Sequence, residues 1–325
     1  MSKIKKEHFK AKYKCLPMPI EILKKYLLVF LRPFIKYYSV PGQPNTLSCH
    51  PVFIISSGRS GTTLLRSMLV ASEQIAIPAE TQILQTLAIK FMAYQGLGWE
   101  DLSRLMIAEF ESHHDFYMWE INLAPVYQKI IHLPERERSL AKIVDEVYMT
   151  YAAQKFPNAR VWGDQSPLHT FYLSYIDKIF PEAKYVHLLR DGRDVISSMV
   201  KRHGNDYLYE AVHRWKTSIK KTDVFQKTVG SGRYIEVRYE DLVQDSEVTL
   251  KRISQFINIE YTPRMLDYWK LPTTMEHKYN LFHQNLGKPV FTSSIGKWQE
   301  RLSQEQQDYV MEKISEELKH KGYLE

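Results

Sequence analysis

Residues 52–69 read VFIISSGRSGTTLLRSML, and no other stretch of the chain limits the fold as strongly. The apolar, β-branched run from Val52 to Ile55 predicts a buried strand. Gly58 and Gly61 mark a tight turn, and a helix-forming run begins at Thr62. A strand, a glycine loop and a helix in immediate succession form a backbone cradle for phosphate. The loop N–H groups converge on the oxygens, and the helix N-terminus adds the positive end of its dipole. The signature G-x-x-x-x-G-K-[ST] is not met, because no lysine follows Gly61. Arg59 lies inside the loop instead, with Ser60, Thr62 and Thr63 as hydroxyl donors. The loop is an anion site that lacks the lysine used to hold β- and γ-phosphates.

Further along, Lys184–Leu189 (KYVHLL) and Tyr234–Arg238 (YIEVR) read as strands, and Arg160–Trp162 as a short extended stretch. Before them, Thr81–Tyr94 and Ser139–Gln154 carry apolar residues at helical spacing, with Ser139 placed to cap the second. Helices are also expected over VISSMVKR, around Leu250–Ile257 and from about Gln304 to Lys319. Strands alternating with helices imply an α/β, three-layer, P-loop-like fold: a mostly parallel central sheet flanked by helices. Ligands in such folds sit beyond the carboxyl ends of the strands, where Gly58–Gly61, Arg190–Asp194 and Tyr239 all fall.

Composition narrows the function little. The 325 residues are 44% hydrophobic and 25% charged, which is ordinary for a globular domain. A net charge of +7 suits an anionic ligand but is too small to argue for nucleic acid. Cys15 and Cys49 build no disulfide framework, though one bridge between them stays open, and no metal-ligand spacing is present. His113-His114-Asp115 are adjacent rather than helically spaced, so no metal site is expected there. Phe116, Tyr117 and Trp119 are read as core, with an acceptor groove as the alternative. The loop-like segment 39–50 suggests a division into a helical extension and linker (1–48) and a main domain (49–325). The segment 20–38 is apolar but broken by charges, so it either packs on the domain or lies in a membrane interface. A cytoplasmic or membrane-peripheral location follows from that pattern, and a homodimer is a further expectation.

The second strand end completes the pattern. Arg190 ends its strand, Ser198 follows eight residues on in a helix, and Arg193 and Arg202 flank it. An arginine fork beside a helix hydroxyl is a phosphate clamp. Two anion sites in one sheet suit a nucleoside with phosphates at both ends.

At this point SGRSGTTLLRSML resembles the 5′-phosphosulfate loop of sulfotransferases that use 3′-phosphoadenosine 5′-phosphosulfate (PAPS). YVHLLRDGRDVISSMVKR resembles their 3′-phosphate motif, and GKPVFTSSIGKWQERLS their C-terminal loop. The likeness runs in order from about Pro51 to Leu302 and is nearest the branch that contains tyrosylprotein sulfotransferases. It implies PAPS as co-substrate and a hydroxyl acceptor on a tyrosine, glycan or lipid, and no metal is expected, because a sulfuryl group carries less charge than a γ-phosphoryl and the arginines can suffice. It also implies Glu80, of the pair Glu80-Thr81, as the catalytic base, Arg59 facing the leaving group, and Arg190, Ser198 and Arg202 on the 3′-phosphate. Tyr239 is placed near the adenine, with Lys297 and Trp298 in the closing loop.

Each assignment has a plainer alternative. Glu80 could stabilise a helix start, Arg190 could pair with Asp191 or Asp194, and Tyr239, Lys297 and Trp298 could be core, solvated charge and packed ring. One departure stands out: Gln165, in WGDQSP, occupies the place where relatives carry a lysine. His169, four residues on, could supply a charge or a second base, or simply pack. The rival functions are a P-loop-type nucleotide kinase and a weakly active nucleotide-binding homologue.

Overall fold

The computed structural model describes residues 37–270 and 287–325. The expectations for Cys15 and for most of segment 20–38 lie outside the described residues. Among the described residues, five parallel strands form one sheet in the order β2-β3-β1-β4-β5. These are β1 (Val52–Ile55), β2 (Ile75–Ala76), β3 (Val161–Asp164), β4 (Lys184–Leu189) and β5 (Tyr234–Arg238). The central strand β1 is wholly buried, and its side chains alternate between the two faces as the strand pleat requires. Phe53 and Ile55 enter one core with Trp162 and Tyr185, while Val52 and Ile54 enter the other with Val186 and Leu188.

The first face is covered by helices α2 (Leu84–Ala93), α3 (Trp99–Ser112), α4 (Ala124–Ile131), α5 (Leu140–Lys155) and α6 (Leu173–Ile179). The second is covered by α1 (Thr62–Val70), α9 (Tyr239–Gln244) and α10 (Ser246–Ile257). A third apolar cluster joins α7 (Gly192–His203), α8 (Leu208–Val229) and α12 (Gln304–His320), with the short α11 (Trp298–Arg301) beside it. The three-layer α/β architecture is the one the sequence implies. Ser139 caps α5 by accepting from the N–H of Lys142, as expected.

The segment 39–50, read as a loop or linker, packs along the first core. Its backbone pairs with the start of α5, Ser48 donates to the buried Asp145, and Tyr38, Val40, Leu47 and Cys49 pack on the first core. Burial pushes the Cys49 thiol up to about 12, so it behaves as a small hydrophobe. Also, α2 begins at Leu84 rather than Thr81, which leaves Glu80 in the preceding loop. A helix-start role for that carboxylate is therefore not realised.

Candidate active site

The loop after β1 holds three residues in the left-handed region: Gly58 (φ 86°), Arg59 (φ 54°) and Gly61 (φ 90°). For Arg59 that conformation costs on the order of 1 kcal/mol or more, and such strain gathers at functional sites. A Cβ on Gly61 would lie 2.5 Å from two ring atoms of Tyr239, so only glycine fits. Gly61 precedes α1 and no side chain caps that helix start, so its first N–H groups face outward to whatever binds there. Ser60 differs from its neighbours in the loop. Its hydroxyl is buried and turned back on Ser57 and the carbonyl of Gly58.

The loop and the end of β4 open onto one cavity of about 530 Å³, lined by Arg59, Thr62, Thr63, Glu80, Arg190, Ser198, Arg202 and Tyr239 among others. The two anion sites meet directly. Nε of Arg59 donates to Ser198 Oγ at 3.3 Å, and Arg190 donates to the backbone carbonyl of Arg59 at 3.1 Å. Arg190 also donates to the carbonyl of Ser294 at 2.8 Å and lies 4.3 Å over the Tyr239 ring. Its Nε, though buried, has no hydrogen-bond partner among the described residues. The sequence alternative of a pair with Asp191 or Asp194 is not realised. Asp191 pairs with Arg193 at 2.6 Å, and Asp194 accepts the N–H groups of Gly296 and Trp298 at 2.8 and 3.0 Å.

Among the described residues no carboxylate comes within ion-pair distance of Arg59, Arg190 or Arg214, which also lines the cavity. Burial, then the guanidiniums of Arg202 and Arg190, pull the Arg59 pKa below its ordinary value, with Glu80 opposing. Crowded cations on a shared wall are unfavourable until an anion arrives. Glu80 accepts from Gln165 Nε2 at 2.7 Å, and the same nitrogen donates to Thr62 Oγ1 at 2.9 Å.

Other sequence candidates lie apart from the cavity lining. His169 is buried in a short turn over Pro167–Phe171, with Nδ1 3.0 Å from Oδ1 of Asp164 and its ring edge-on to Phe53. Burial opposes the charge on Asp164, but His169, Tyr148 and Ser166 outweigh it and hold the carboxyl below the usual range. His169 is thus a packed partner of a carboxylate behind the site, not a residue of the cavity wall. The Lys297 ammonium binds Glu300 at 2.8 Å, and the Trp298 ring lies under Arg193 at 4.8 Å. What the C-terminal loop brings to the cavity is Val290 and Phe291. Of the aromatic group, Phe116 and Trp119 are core and Tyr117 is exposed, while Met118 reaches the cavity. Sequence reading passed over Arg214, whose Nε donates to the carbonyl of Ser57 at 3.1 Å. One arginine within a long helix carries no signal of its own.

The sequence profile of the sulfotransferase family matches residues 51–263. The chain belongs to the sulfotransferase family. It is 25% identical over 258 residues to protein-tyrosine sulfotransferase 1 of Danio rerio, covering 76% of this chain and 65% of that one. It is 25% identical over 263 residues to the omega-hydroxy-beta-dihydromenaquinone-9 sulfotransferase Stf3 of Mycobacterium tuberculosis, covering 67% and 66%. The chain thus spans just under two thirds of the length of these two curated relatives. Among solved structures, the sulfotransferase domain of the Synechococcus PCC 7002 olefin synthase superposes with a TM-score of 0.58 at 22% identity, covering 86% of this chain and 98% of that domain. That domain thus shares the fold described above.

Proposed function

We propose that this sulfotransferase-family chain moves a sulfuryl group from PAPS to an acceptor hydroxyl, with Glu80 as general base. The observation that carries the reading is the direct contact between the two anion sites, Arg59 on Ser198 at 3.3 Å, inside one cavity. A nucleoside with a phosphate at each end needs both strand ends on one surface. The residues fit such a donor. A buried guanidinium nitrogen on Arg190 awaits an acceptor, and the uncapped start of α1 offers N–H groups. When bound, the donor supplies an activated sulfuryl group whose leaving group is adenosine 3′,5′-bisphosphate.

Glu80 takes the proton of the acceptor hydroxyl as its oxygen bonds to sulfur. Arg59, Thr62, Thr63 and the first amides of α1 stabilise the charge that grows on the departing 5′-phosphate oxygen. Arg190, Ser198 and Arg202 hold the 3′-phosphate, and Tyr239 bounds the adenine side. Leu64, Met118, Val290 and Phe291 give the cavity an apolar portion, which suits an acceptor that carries its hydroxyl on an apolar body.

The test is transfer of labelled sulfate from PAPS to a panel of phenols, glycans and lipid alcohols, followed on wild type and Glu80→Gln. We expect Glu80→Gln to lower kcat by about 10² to 10⁴, with adenosine 3′,5′-bisphosphate affinity unchanged. Turnover retained in that variant removes the base assignment. Tight ATP binding together with absent adenosine 3′,5′-bisphosphate binding removes the donor assignment.

A further inference from the structure

Gln165 leaves the end of β3, is 1% exposed, and spends a single nitrogen on two partners. An amide nitrogen carries two hydrogens, and each of these bonds uses one. The orientation follows from chemistry: a carbonyl oxygen 2.7 Å from a carboxylate oxygen would set two acceptors against each other. Two consequences follow. Oε1 of Glu80 accepts an N–H, so the carboxylate is favoured over the acid at that oxygen. Oγ1 of Thr62 also accepts, so its own proton has to point elsewhere. Thr62 is the first residue of α1 and lines the cavity, where that hydroxyl joins the helix N–H groups as a donor to an anion.

We infer that Gln165 is a positioning residue that fixes two proton directions at once, keeping Glu80 ready to accept a proton while turning the Thr62 hydroxyl toward the bound anion. The amide does this without charge. It supports the ionised base less strongly than an ammonium would, and so leaves Glu80 a better proton acceptor. This rests on the reading of Glu80 as the base. Among the described residues, the other charged groups that face the same cavity are Arg59 from the loop after β1, Arg190 at the end of β4, Arg202 and His203 of α7, Arg214 of α8, and Asp115 before the Phe116–Trp119 turn. The Asp164–His169 pair lies next to Gln165 in the chain. None of these changes in the variants below.

The test is a direct titration of Glu80 by NMR in protein labelled with ¹³C at the glutamate carboxyls, with Glu80→Gln assigning the resonance. Gln165→Met removes the donor, and the Glu80 midpoint should rise by on the order of one pH unit. Gln165→Lys adds a cation at similar reach, and the midpoint should fall by at least as much. Should Gln165→Met not fold, Gln165→Leu takes its place as the donor-free variant. The acid limb of kcat/KM should move with the midpoint in each variant. A midpoint that stays within about 0.3 units in the donor-free variant overturns the inference, because a residue that only packs would leave it there, whereas the shift in Gln165→Lys only calibrates the reach of a charge at that position. Midpoints that move while Glu80→Gln keeps its turnover would leave the Gln165 bridge intact and sink the base assignment instead.

Discussion

Two polar clusters sit close together in this sheet and are built on opposite plans. Between β4 and β5, Glu236 is met by Nδ1 of His187 at 3.0 Å and by Lys321 at 2.7 Å, and Lys321 reaches Asp223 at 2.7 Å. Every charge there has an opposite within the protein. At the carboxyl ends of β1 and β4, Arg59, Arg190 and Arg214 converge with no carboxylate in ion-pair range among the described residues. Burial alone does not separate the two, since both clusters are largely out of solvent. Completeness does. A network that neutralises itself serves the folded state, whereas cations gathered at one cavity without carboxylates beside them are the pattern expected of an anion-binding site.

The comparison can be broken from either side. The largest effect is expected at Arg190. Arg190→Met should weaken adenosine 3′,5′-bisphosphate about 100-fold, the worth of one or two charge-assisted hydrogen bonds, and lower the melting temperature only modestly, through its lost bonds to the carbonyls of Arg59 and Ser294. Calorimetric titration beside a thermal melt measures both, and a large drop in stability would make Arg190 a structural arginine after all. Next is Gly61→Ala. The added methyl meets the Tyr239 ring at a left-handed backbone, so stability should fall by about 2 kcal/mol, with nucleotide affinity falling as the loop shifts. An unchanged melt would mean that Tyr239 moves freely.

The smallest effect belongs to the closed network. Burial resists the charge on Glu236, but His187 and then Lys321 overcome it and bring its carboxyl down to about 2. A carboxylate depressed in the folded state adds stability above its unfolded pKa, near 4.5, and loses it as pH falls through the folded value near 2. Discounted for its partial exposure, that is about 1 kcal/mol. Wild type should therefore lose more stability than Glu236→Gln over that acid window, with nucleotide affinity the same in both near neutral pH. Parallel curves would show that the pairs merely cancel their desolvation.

The legible parts of the fold were those with a strong local pattern. Lys184–Leu189 and Tyr234–Arg238 fall as strands where alternation and bounding turns place them, and Ser139 caps the helix it precedes. The two-residue β2 was missed because two residues carry no period. Segment 39–50 reads as a linker because proline, glycine and small polar residues say only that no regular element forms there. They do not say that Ser48 will reach Asp145, 97 positions away. Lys297 was drawn toward the site by resemblance and His169 by its place four residues after Gln165, and their side chains found Glu300 and Asp164.

By itself the sequence determined that a strand runs into a glycine loop and a helix, that a second strand ends on Arg190 with Ser198 beyond it, and that strands alternate with helices. These are properties of residues near one another in the chain, where backbone freedom and side-chain period act. Only the tertiary structure decided that the two strand ends share a cavity, that Gln165 spans Glu80 and Thr62, and that Arg214 joins them from a helix more than 150 residues after the loop. Long-range pairing depends on sheet order and on which charges find partners first, and no local pattern encodes either.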